Sequence, residues 1–141
     1  MQPTLGAISH GPPKMTSVTK NILIVDKDLG FIFWLGTALA GASYQPWPAC
    51  SPSDAISVVN RKPLTRLHLL IVNASLPGVS KLIAHFRHTQ AHLKVIALGL
   101  QDNTLVGVTA WHPVPDTGDD SAKQEWVLAV KHLSCRQNRA A

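Results

Sequence analysis

The sequence is short of acids, of aromatic rings and of cysteine. Eight Asp and Glu stand against 13 Lys and Arg, charged residues reach only 15% of the 141, and aromatics 6%. Ion pairs alone cannot cover such a surface, so Ser, Thr, Asn, Gln and His must share it; the 45% hydrophobic content still fills the core of one domain. Cys50 and Cys135 lie far apart, with no C-x-x-C and no ligand in close spacing, which points to free thiols in a reducing compartment. The longest apolar stretch, Leu29 to Ala42, falls short of the ~20 residues that span a bilayer and is broken by Gly30, Gly36 and Gly41. Residues 1–20 carry Pro3, Pro12 and Pro13 but lack the apolar core of a signal peptide, and read as a flexible leader. A cytoplasmic protein with no membrane association is expected.

Other absences exclude chemistry. No Gly-x-Gly-x-x-Gly follows the first apolar run, where Asp-Lys-Asp-Leu-Gly stands instead, so a dinucleotide site is disfavoured. Ser75 and Ser80 have no Gly-x-Ser-x-Gly context for a nucleophile. His85, His88 and His92 share a helical spacing, but with no Cys or acid beside them they read as surface histidines, and neither a metal nor a cofactor is expected. The net charge of +5 invites a nucleic-acid reading, yet the basic residues are scattered and form no dense run.

What is present alternates between two periods. Asn21 to Asp26 and His68 to Asn73 are short β-branched runs ending in a polar residue, the form of strands buried on both faces of a parallel sheet; Leu93 to Leu98 is a third. Tyr44 to Cys50 is a weaker strand that Pro46 and Pro48 confine to an edge or an irregular path, and Thr109 to His112 is a short one stopped by Pro113. Between them the spacing predicts helices from Leu29 to Ser43, capped by Asp28, from Ser51-Pro52-Ser53-Asp54 onward, from Ser80 to Gln90, and from Asp119 to Arg136. Strands separated by helices mean βαβ units and right-handed crossovers. The expectation is a doubly wound five-stranded parallel sheet over residues 21–136, with a leader at 1–20 and a tail at 137–141.

In such sheets chemistry gathers beyond the carboxyl ends of the strands. Those positions read Ile-Leu-Ile-Val-Asp-Lys-Asp (22–28), Leu-Leu-Ile-Val-Asn-Ala-Ser-Leu-Pro-Gly (69–78), Val-Ile-Ala-Leu-Gly (95–99) and Val114-Pro115. In order and spacing this set resembles the receiver domain of bacterial response regulators, a flavodoxin-like fold. The resemblance implies two adjacent acids after the first strand that help hold magnesium, and a phosphate-accepting aspartate four residues before the proline of the third loop. Here the pair is Asp26-Lys27, and the acceptor position, counted back from Pro77, holds Asn73. It also implies a Ser or Thr after the fourth strand and a Lys before a proline after the fifth, where this chain has Gly99 and Val114. The family's Lys-Pro bond is commonly cis; whether Val114-Pro115 shares that geometry without the lysine is left open by the sequence. The interval from Gly99 to Val114 is shorter than the family's, so the helix usual there should be shortened or absent.

An amide has no anionic oxygen to attack phosphorus, so the resemblance points to a pseudo-receiver that is no enzyme and acts by protein-protein interaction in a two-component or related regulatory pathway. Two other readings stay open: a phosphoaccepting regulator with an atypical site, and a basic nucleic-acid-binding regulator. Lys27 either pairs with Asp26 or Asp28 or points outward. Trp111, at the family's aromatic switch position, is either an interaction residue or core. From Leu29 to Ala42 only Thr37 is polar, and Phe33 and Trp34 fall off the face drawn by Ile32, Leu35 and Leu39. Either the leader, the last helix, or a protein partner, a second copy included, covers them.

Overall fold

The computed structural model describes residues 20–61 and 66–139. Residues 1–19, which hold nearly all of the expected leader, lie outside the described residues. Five strands, β1 (Asn21–Val25), β2 (Gln45–Ala49), β3 (Leu69–Asn73), β4 (Lys94–Leu98) and β5 (Ala110–His112), form one parallel sheet in the order β2-β1-β3-β4-β5. Four helices, α1 (Leu29–Gly41), α2 (Pro52–Arg61), α3 (Val79–Thr89) and α4 (Asp120–Arg139), complete the fold. α4 thus continues through three of the five residues expected as a tail.

The apolar runs with no polar alternation are the inner strands, buried on both faces. Because successive side chains point to opposite faces, each strand feeds two cores. Leu23 and Val25 join Leu70, Val72 and Val95 beneath α2 and α3, while Ile22 and Ile24 join Ile71 and Ile96 beneath α1 and α4. β2, with Pro46 and Pro48, lies at the edge, where proline is tolerated.

Local chemistry starts the helices where the sequence marks them. Asp28 Oδ1 accepts from Phe31 N (3.2 Å) to cap α1. Ser51 Oγ accepts from Asp54 N (3.1 Å) while Asp54 Oδ2 accepts from Cys50 N (2.9 Å), a reciprocal lock on the first turn of α2.

Between β4 and β5 there is no helix, only turns. Asp102 Oδ1 accepts from Thr104 N (2.9 Å) and Thr104 Oγ1 (2.7 Å), bonds that hold its carboxyl below the ordinary value. Leu105 and Val108 pack on the core beneath α3, and Arg87 Nη2 donates to Gly107 O (2.7 Å). The missing helix is replaced by a strap drawn tight across α3. Gly107 sits at φ +95, and a Cβ there would lie 2.9 Å from Ile83 Cγ2.

Gly107→Ala should therefore lower stability by about 1–3 kcal/mol, read as a lower urea midpoint with unchanged slope. A second expectation concerns pH. His68 Nδ1 accepts from Asn21 N (3.1 Å), which needs a neutral ring, and burial, then the charges of Arg66 and Lys20, hold its pKa below 6.5. His112 is likewise lowered by burial, with Glu125 opposing. A folded-state value below the unfolded one means that these groups' stability is intact above pH 6.5 and is lost as pH falls through the folded values. The urea midpoint should fall on acidification below pH 6.5, and His68→Gln should flatten that fall.

Candidate functional site

The carboxyl ends of β1 and β3 are neighbours in the sheet, with Val25 beside Val72, so the next residues, Asp26 and Asn73, are brought together. Asp26 is buried, 4% exposed. Its Oδ1 accepts from Asn73 Nδ2 (3.3 Å) and from Asp28 N (3.1 Å). Asn73 is fixed from its other end, since its Oδ1 accepts from Ser75 N (2.9 Å) and Ser75 Oγ (2.7 Å). The chain Ser75–Asn73–Asp26 closes the pocket with neutral donors. The sequence put Ser75 near this pocket only as a serine without a nucleophile's context; its bond to Asn73 was not expected, and a hydroxyl two residues after an Asn, able to close an Asx-type turn, is the signal that could have found it.

The remaining expected residues do not converge. Lys27 is exposed, and among the described residues it pairs with neither Asp26 nor Asp28, so of the two alternatives it points outward. Asp28 is spent on capping α1. Gly99, at φ +129, donates its N–H to His112 O (2.9 Å) and so fastens the end of β4 to β5. Val114 is 64% exposed and Pro115 half-buried. The Val114–Pro115 bond, whose geometry the sequence left open, is trans.

A magnesium ion does not fit this donor set. It would require several oxygens, usually one or two carboxylates with waters and a phosphate. Here Asp26 Oδ1 already accepts two hydrogen bonds, Asp28 is turned to the helix, and the third oxygen belongs to an amide held by Ser75. Among the described residues no three of His, Cys, Asp and Glu gather as a metal site.

The α1 surface divides the two aromatics that the sequence placed together. Phe33 is 77% exposed, beside Leu29 at 67%. Trp34 is only 8% exposed, so it is withdrawn as a contact residue: α4 covers it, and it shares a cluster with Phe31, Trp126, Val130 and Leu133. Trp111 is half-buried on β5 beside Ala97. Among the described residues no helix is long and apolar enough to cross a membrane.

No family model matches the sequence, and no curated protein matches it. Solved structures do match in fold. A CheY-like response regulator receiver domain protein from Methanospirillum hungatei JF-1 superposes with a TM-score of 0.72 at 16% identity, over 88% of this chain and 100% of that one. A response regulator receiver domain protein from Clostridium thermocellum gives 0.69 at 16%, over 86% and 99%. The signal receiver domain of an HD domain-containing protein from Pseudomonas fluorescens Pf-5 gives 0.67 at 22%, over 88% and 94%. At these identities the likeness establishes the fold: the chain has the five-stranded flavodoxin-like architecture of CheY-like receivers.

If the Asn73 amide holds the pocket closed, Asn73→Asp should set a second carboxylate against Asp26 and remove its donor. Stability at neutral pH should fall by about 1–3 kcal/mol, and the loss should shrink in mild acid, where one of the two carboxyls takes up a proton; urea melts across pH read both.

Proposed function

We propose that this receiver-fold chain is a phosphorylation-independent signalling module that acts by protein-protein interaction in a two-component or related regulatory pathway. The observation that carries the reading is the hydrogen bond from Asn73 Nδ2 to Asp26 Oδ1. An amide stands where the acceptor carboxylate would be, and it spends its donor on the acid that would otherwise serve the cation. A carboxylic amide cannot form the acyl phosphate on which a phosphorylation switch turns. Lys27, Gly99 and Val114 at the other family positions support the same reading, since none supplies the group that the resemblance implies.

The domain is taken as residues 21–136, with a cytoplasmic location. Its working surface is the exposed side of α1 around Phe33, with Trp111 as a secondary candidate. The partner is a signalling protein or another copy of the chain. No observation favours a nucleic-acid surface, because the basic residues remain scattered.

Incubation with acetyl phosphate and Mg²⁺, followed by intact-mass measurement, should leave the mass unchanged. A gain of one phosphoryl group that hydroxylamine removes would overturn the reading.

A further inference from the structure

One side of α1 never reaches the core. Leu29, Phe33, Gly36, Thr37 and Ala40 follow one another at spacings of four, three, one and three, a single helical stripe. Together with Pro46 and Pro48 of β2 the stripe lines a groove of about 480 Å³. No charged residue occurs between Leu29 and Ala49.

The groove's second wall restricts what can sit there. Gln45 N donates to Lys20 O (2.9 Å) and Asp26 N donates to Ala49 O (3.1 Å), so residues 45, 47 and 49 turn their peptide groups toward β1. By alternation, positions 46 and 48 face outward, and both are proline. The edge has no outward N–H to offer, so an occupant cannot be added as a strand. It must bring an apolar surface whose own backbone is already satisfied, as a helix does.

Gly36 gives the second restriction. A Cβ there would meet only Pro46 Cβ at 3.8 Å and Cγ at 3.9 Å, ordinary contacts, so the fold itself tolerates alanine, which would gain about 1 kcal/mol in a helix interior. Internal packing does not require the glycine. It keeps a hollow open beside Phe33, which at 77% is more exposed than Leu29, the other large apolar side chain of the stripe.

We infer that the groove is a self-association site whose occupant is α1 of a second copy of this chain, packed antiparallel about a two-fold axis between Gly36 and Thr37. The inference rests on the reading of α1 as the working surface and names its partner. Positions 33 and 40 are equidistant from that axis, so Phe33 of each copy lies over Ala40 of the other, while Gly36 faces Thr37 and, having no side chain, lets the two helices approach closely. This is the self-complementary arrangement that a two-fold contact demands. Charge supports the choice. The chain carries +5, and an uncharged stripe lets two like-charged copies meet without setting cation against cation, whereas an acidic partner would find no base here. Area sets the strength. A standard interface buries roughly 800 Å² per partner over 20–30 residues; of the nine residues that line this groove Ile24 and Ile32 are themselves buried, so the other seven supply only roughly 200 Å² per copy. That places the pair in the weak, concentration-dependent class.

Sedimentation equilibrium of the full chain from ~10 to ~500 µM should show monomer at the low end and dimer at the high end. Phe33→Asp and Gly36→Leu should each weaken the dimer at least about tenfold, while Leu128→Asp on the exposed side of α4 should leave it unchanged. Thr37→Cys, beside the axis, should oxidise to a dimer linked from Cys to Cys at that position, with circular dichroism confirming that every variant folds. Three results would overturn the inference: a chain that stays monomeric while the introduced thiol at 37 resists alkylation, which seats the chain's own N-terminal segment in the groove; a monomer whose thiol reacts freely, which leaves the groove to a different protein; and a dimer indifferent to both groove variants. Phosphoryl uptake from acetyl phosphate is read separately and bears on the functional reading alone.

Discussion

A carboxylate taken out of water must find donors, and at Asp26 both come from neutral groups: the Asp28 N–H and the Asn73 amide. Much of the carboxyl end of the sheet follows from that solution. The bond to Asp28 shapes the β1–α1 loop so that Asp28 can cap the helix. The bond to Asn73 ties β1 to β3, and Ser75 then fixes the turn before α3. A pocket of this make-up is complete in itself. No second acid converges on Asp26 here, and its Oδ1 is already taken by two neutral donors.

The same economy appears on the opposite side of the sheet order. Where a longer interval would hold a helix, the chain between β4 and β5 uses one Asx turn, one arginine bond and one glycine contact to cover the core under α3. A short strap of this kind fixes Leu105 and Val108 in place but presents no helical face to a partner. On the other face α4 covers Trp34, and its outward side carries charged residues among Leu128 and Ala129. α1 by contrast presents an uncharged stripe, Leu29 and Phe33 included.

How much of this could be read in the residues depends on how local its cause is. β1, β3 and β4 were legible because strands buried on both faces leave an unbroken apolar run, and the starts of α1 and α2 because Asp28 and Ser51 act within four residues of themselves. The resemblance singled out Asn73 by its distance from Pro77, and the structure sets that residue against Asp26. Trp34 was not legible, because helical periodicity gives the angle between Phe33 and Trp34 but not which of the two angles α4 will occupy. The strap was legible only as a missing length: the Arg87–Gly107 bond joins residues 20 apart in sequence and leaves no periodic trace.

The two prolines of β2 carry a consequence for solubility. A parallel sheet with an open edge is a template on which strands of other molecules can stack without limit, and a greasy groove beside that edge would draw them in. With proline at both outward positions the edge cannot begin such a stack, so the chain can leave Leu29 and Phe33 in water without inviting fibres. Beside this edge the exposed apolar side chains are thus carried by a helix, whose backbone is already satisfied, and not by an open strand.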